Sequence, residues 1–131
     1  MIDHISTYTT KFDAAKTFYL AAMKALGHDL VTEMVTSWDP EFPTARIAAF
    51  GPAGRPQLWL IEKKTKHSKH HTGFAAKTRA EVHAFHEAGV AAGGTDDGKP
   101  GNRPHYSESY YGAFLIDPDG NSVEAVTHSK A

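Results

Sequence analysis

The chain repeats itself. His4 and His71, Phe18 and Phe85, and Gly27 and Gly94 are each 67 positions apart. The same offset carries Glu124 back to Gln57. A single match would be noise, but these four span a strand start, a helix face, a helix end and a last strand. Together they argue for two copies of one supersecondary unit.

Each copy reads as a strand, a helix and three further strands. Residues 2–8 are β-branched and partly alternating, which predicts a strand with His4 and Ser6 on one face. Thr10-x-x-Asp13 has the spacing of a helix start, and Ala15, Phe18, Ala22 and Leu26 follow at steps of three and four up to Gly27. Strands are expected over 30–36, 44–50 and 57–62, with a loop at 38–43 and a Gly/Pro turn at 51–56. The Lys/His-rich stretch 63–70 reads as a solvated linker rather than an anion-binding patch.

The pattern restarts at 71–76, a strand with His71, Gly73 and Ala75 on one face and Thr72, Phe74 and Ala76 on the other. Thr78-x-x-Glu81 is a capping box; Val82, Phe85, Gly89 and Ala92 form the helical face, and Gly93-Gly94 ends it. Residues 95–108 are polar and irregular, with at most one short strand, and their length suggests a functional loop. The chain closes on a hairpin over 110–126, whose reversal is Asp117-Pro-Asp-Gly-Asn121. The expected organisation is one domain: module one over 1–62, a linker over 63–70 and module two over 71–128.

Composition narrows the partners. The 131 residues carry a net charge of −1, which gives no reason to expect nucleic acid or an anionic membrane surface as a partner. Without cysteine there are no disulfides and no thiolate metal ligands. No apolar run approaches the ~18 residues of a membrane span, and no signal-peptide pattern opens the chain, so a cytoplasmic location is expected. The anomaly is nine histidines.

Glu124 sits between Val123 and Ala125-Val126, and burying a charge in a short apolar strand costs free energy unless something compensates it. It is either a rim carboxylate, paired or wet, or a metal ligand. The repeat supports the second reading. His4 and His71 begin equivalent strands, and Glu124 and Gln57 lie on equivalent last strands, so a pseudo-symmetric pair of units would turn all four toward one axis. Two imidazoles and one carboxylate match a facial triad that leaves open positions on a divalent ion. Gln57 would add a weak fourth oxygen or a hydrogen bond to a bound water.

With these motifs the chain resembles the vicinal oxygen chelate superfamily, which includes glyoxalase I, extradiol dioxygenases, fosfomycin-resistance enzymes and bleomycin-binding proteins. The resemblance runs from Ile2-Asp-His4 through His71-Thr-Gly-Phe74 to Asp117-Pro-Asp-Gly-Asn-Ser-Val-Glu124. It implies an α+β fold in which two βαβββ modules form a partly open mixed β-barrel around one divalent metal ion: iron, manganese, nickel or zinc. The ligands it implies are His4, His71 and Glu124, with a fourth in some members near Gln57. It also implies a small-molecule substrate and a homodimer, in which a site is sometimes completed across the subunit interface. Glyoxalase I usually carries a glutamate at the fourth position; the neutral Gln57 removes that general base.

Around the metal, Arg103 suits a carboxylate or phosphate because its planar fork binds such groups bidentately. His105, Tyr106 and Tyr111 offer hydrogen bonds or acid–base groups, and Trp59 an apolar wall. No residue is singled out as catalytic. His28, His83 and His86 fall at a helix end or on a helix and are expected to touch solvent. His70 is the rival to His71, but that choice would turn the Phe74 face the wrong way. His128 is a weaker ligand candidate. Three functions fit: a metal-dependent enzyme acting on a substrate with vicinal oxygens, either isomerising it or adding dioxygen; a metal-free small-molecule binder of the bleomycin-resistance type; or a structural, partner-binding role.

Overall fold

The repeat is realised twice in the computed structural model, which describes residues 1–131. Module one comprises β1 (Ile5–Thr9), α1 (Phe12–Ala25), β2 (Asp29–Val35), β3 (Arg46–Gly51) and β4 (Leu58–Glu62). Module two comprises β5 (His71–Ala75), α2 (Arg79–Ala91), β6 (Thr95–Asn102), β7 (Tyr111–Ile116) and β8 (Ser122–Thr127). Each module builds a four-stranded sheet, in the orders β1-β4-β3-β2 and β5-β8-β7-β6. The first strand runs parallel to the last, because the intervening helix supplies a crossover; the other pairings are antiparallel. This is the expected α+β fold of mixed sheets. Within one chain the two sheets do not close on each other.

Alternation decides which face of each sheet is buried. Ala48 and Phe50 of β3, Leu58 and Leu60 of β4, Ala113 and Leu115 of β7, and Val123 and Ala125 of β8 all enter one apolar cluster. The same cluster takes Ala15, Phe18 and Ala22 from α1 and Val82 and Phe85 from α2. The modules therefore share a core, with α1 lying against α2. Close approach there depends on missing side chains: a Cβ on Gly94 would stand 2.4 Å from Phe18 Cε1, and one on Gly89 2.3 Å from Leu115 Cδ1.

Three expectations need correction. The 95–108 segment is not mainly loop, since β6 is eight residues long and pairs with β7. It carries no apolar alternation because it is a largely exposed edge strand, and Gly98, Pro100 and Gly101 coincide with breaks in its register. Thr10 does not cap α1. Its backbone N–H donates to Asp119 Oδ1 at 3.0 Å, and Lys11 occupies the cap position with no side-chain bond. Thr78 does cap α2, accepting from the Glu81 N–H, while Glu81 accepts from the Lys77 N–H. The helix ends also slip by one: the positive-φ residue after α1 is Gly27, but after α2 it is Gly93, because Gly94 is held against Phe18.

Residues 64–69 of the linker are exposed, and its far end is held. His70 Nε2 lies 2.8 Å from Thr7 Oγ1, which brings the end of the linker onto β1. The buried Tyr19 hydroxyl donates to Asp117 Oδ2 in the β7–β8 turn at 2.5 Å, so the Asp-Pro-Asp-Gly turn is a clasp between modules as well as a reversal.

Candidate metal centre

The β5–β8 ladder positions the site. His71 pairs with Ser122 and Gly73 with Glu124, so His71, Ser122 and Glu124 project from the sheet face opposite the helices. Glu124 Oε1 lies 2.7 Å from His71 Nε2, and the other imidazole nitrogen, Nδ1, lies 2.8 Å from Ser122 Oγ. The remaining carboxylate oxygen, Oε2, accepts from the Tyr110 hydroxyl at 2.6 Å. The Glu124 side chain is only 7% exposed, whereas that of His71 is 47% exposed at the mouth. The carboxylate lies beside two glycines: a Cβ on Gly73 would stand 3.4 Å from Glu124 Cγ, and one on Gly112 3.5 Å from Oε2. The Tyr110 hydroxyl is pushed up to about 12, first by burial and then by its bond to the Glu124 carboxylate and that group's charge.

These residues line an open cleft of about 740 Å³ together with Asp97, Arg103, His105, Tyr106 and Phe114. His105 and Tyr106 line this cleft. Arg103 is there as well, but its guanidinium donates to the carbonyls of Lys99, Gly101 and Asn102 and lies over the Phe114 ring, bracing the β6–β7 connection. Tyr111 is carried to the other face by strand alternation; its hydroxyl lies 2.6 Å from His83 Nε2 and its ring lies under Arg79. The tyrosine in the cleft is Tyr110. The sequence offered no signal to choose between adjacent tyrosines except the register of the hairpin.

His4, Gln57 and Trp59 belong to the other sheet. His4 and Gln57 line a separate cavity of about 580 Å³ between β1 and β5, and His4 meets Trp59 edge-on at 6.5 Å. His28 lines the same cavity, with its Nδ1 buried without a hydrogen-bond partner and its pKa lowered by burial. No three His, Asp or Glu side chains of one chain are grouped to hold a metal ion. The four residues expected to share one axis are split in pairs because both helices and the common core lie on the inner faces of the two sheets. His83 and His86 are engaged rather than free, His86 with Asp96 at 2.7 Å. His128 Nδ1 lies 3.0 Å from Ser109 Oγ.

The register also revises the internal correspondence. Ser6, two residues beyond His4, pairs with Trp59; Gly73, two residues beyond His71, pairs with Glu124. Trp59, not Gln57, therefore occupies the position in module one that Glu124 occupies in module two.

The donors present suit a divalent ion as far as they go. Imidazole and carboxylate are borderline-hard ligands, and with Nδ1 donating to Ser122 the Nε2 lone pair would face Glu124 Oε1. Two acceptors at that distance need a proton or a cation between them.

A family model, Glyoxalase/Bleomycin resistance protein/Dioxygenase superfamily, matches residues 1–125. Among solved structures, a glyoxalase/bleomycin resistance protein from Albidiferax ferrireducens T118 is 26% identical with a TM-score of 0.72, covering 95% of this chain and 96% of its own. The fosfomycin resistance protein FosX from Listeria monocytogenes, a glutamate-to-glutamine mutant complexed with Mn(II) and 1S,2S-dihydroxypropylphosphonic acid, is 16% identical with a TM-score of 0.66, over 95% of this chain and 90% of that one. A mutant of glyoxalase I from Zea mays is 20% identical with a TM-score of 0.68; the match covers 95% of this chain but 45% of that one. At those identities the last two share the fold alone. No curated protein matches the chain. No helix is long and apolar enough to cross a membrane.

Proposed function

The chain belongs to the glyoxalase/bleomycin resistance protein/dioxygenase superfamily, and on that premise we propose that it is a divalent-metal-dependent enzyme acting on a small substrate with vicinal oxygens. His71 and Glu124 of one copy would hold the ion, and His4 of a second copy would complete the ligand set in a homodimer. The observation that carries this reading is the His71 Nε2–Glu124 Oε1 approach in an open cleft, with the far nitrogen of the imidazole tied to Ser122. When bound, the ion would act as a Lewis acid toward the substrate oxygens. The protein's own part is to position. Ser122 fixes the ring of His71, Tyr110 fixes Glu124, and Phe114, Tyr106 and His105 line the space beside them.

The FosX structure, a relative in fold with Mn(II) beside a vicinal-diol phosphonate, supports a metal of that class, with iron, nickel and zinc as the other candidates. The test is metal content of the purified, tag-free protein by elemental mass spectrometry, beside His4→Ala and His71→Ala variants. About one ion per chain, lost in both variants, is the expected result.

One observation favours a second reading, a metal-free small-molecule binder of the bleomycin-resistance type. A proton on His71 Nε2 satisfies Glu124 without any ion, and no third ligand lies nearby in the same chain. Failure to take up each of the four metals on reconstitution would select it.

A further inference from the structure

Glu124 is a carboxylate whose two oxygens are treated differently. Oε1 faces His71 Nε2 at 2.7 Å, whereas Oε2 faces the Tyr110 hydroxyl at 2.6 Å. Nothing else in the chain hydrogen-bonds either oxygen, so with a cation in place of the proton between Oε1 and His71, Tyr110 is the one side chain left to fix the carboxylate's rotation. The surroundings leave this task to it. Gly73, directly across the ladder, and Gly112, on β7, present no side chains that would wedge the carboxylate in one rotation. Two aromatic rings meet Tyr110 edge-on, Tyr106 at 5.0 Å and His128 at 5.5 Å. Its backbone N–H donates to the Ser107 carbonyl and its own carbonyl accepts from the Arg103 N–H, which pins it at the start of β7.

We propose that Tyr110 is a positioning residue that holds Glu124 by Oε2 so that the carboxylate offers a bound cation one oxygen, Oε1, rather than two. The inference rests on the metal-dependent reading above. Its physical content is the preorganisation of a ligand by a partner that never touches the ion. A carboxylate with both oxygens free can rotate about its last bond or close on an ion bidentately, occupying two coordination positions. Tied by Oε2, Glu124 would offer a bound ion Oε1 alone and leave more room beside it for substrate oxygens. The hydroxyl costs nothing in steric terms, because the ring already meets its neighbours edge-on.

The experiment uses Co(II) as probe, since its visible absorption reports coordination number and geometry while a titration gives affinity. The full-length protein, Tyr110→Phe and Tyr8→Phe are compared; Tyr8 lies on β1 against His67, away from the cleft. Phenylalanine keeps the edge-on ring contacts and removes only the hydroxyl. Tyr110→Phe should weaken Co(II) binding by about 10- to 100-fold, the range seen when partners of metal ligands are removed, and should change the absorption band in position or intensity. Tyr8→Phe should match the parent in both. A purely structural tyrosine would lower the melting temperature and leave affinity and spectrum alone; that outcome overturns the proposal. Parent protein that binds no Co(II), nor any of the four candidate metals, would overturn the metal reading and this inference with it. Binding by the parent that Tyr110→Phe reproduces unchanged would overturn this inference alone.

Discussion

Tyr19 on α1 donates its buried hydroxyl to Asp117 of the β7–β8 turn, 2.5 Å away across the junction of the two modules. Asp117 also accepts from the backbone N–H groups of Asp119 and Asn121 and from the Asn121 side chain. Burial, then the charge of Asp117, raises the pKa of the phenol well above its ordinary range. One carboxylate thus shapes the turn and ties it to the first module.

Tyr19→Phe should therefore destabilise the fold by about 1–3 kcal/mol, the cost of leaving a buried acceptor short of a partner. Urea denaturation is the measurement. Metal content, if present, should be unchanged in the surviving folded protein, since the clasp lies outside the His71 cleft.

Glu124→Gln should abolish or strongly reduce metal retention, whereas His86→Gln should leave it intact. His86 is a histidine with a carboxylate partner too, but the pair ties α2 to β6 and does not enter the cleft. Equilibrium dialysis of the two variants separates them; equal losses would remove Glu124 from the site.

Assembly of the site from two copies has a distinctive test. His4→Ala and His71→Ala should each lose metal when pure. Mixed and allowed to exchange subunits, they should regain it at about a quarter of all sites, since half the dimers are mixed and each of those holds one intact set. No recovery on mixing would contradict the shared site.

Acid stability should depend on Asp96. The hydrogen bond to His86, the Gly98 N–H and Lys99 hold its carboxyl down to about 2, below its ordinary value of 3.8. A folded pKa below the unfolded one means stability that is fully present above about pH 4 and is lost as pH falls toward about 2. Acid unfolding of Asp96→Asn should start from a lower plateau, and the two curves should converge near about pH 2. Added salt should shrink the difference, because the group is exposed.

The register predicts which position in module one can accept another ligand. Trp59→Glu should tighten metal binding in the dimer if a second carboxylate joins the shell. Gln57→Glu should not, because Trp59, not Gln57, is the counterpart of Glu124. Calorimetric titration of both variants distinguishes them.

Local chemistry carried most of the architecture into the sequence. The 67-residue repeat, the helical face of Phe18 and Phe85, the capping box at Thr78 and the Asp-Pro-Asp-Gly reversal could each be read from the residues themselves. The motif Ser122-Val-Glu124 likewise announced a charge that the strand would have to explain. What failed was anything decided at a distance. β6 is stabilised by pairing with β7 rather than by apolar residues of its own, so its sequence looked like loop. Thr10 found a better partner in Asp119 than in its own helix. The choice of Tyr110 over Tyr111 and of Trp59 over Gln57 turned on registers of one and two residues, and a one-residue step carries a side chain through the sheet. The sequence named His4, His71 and Glu124 as one set; within a single chain the fold sets His4 beside β1 and the other two on the second sheet, so the proposed set joins two copies. Residue identity determines which groups are able to bind an ion. Which of them meet is set by how the two sheets share a core, and that is a property of long-range burial that no local pattern encodes.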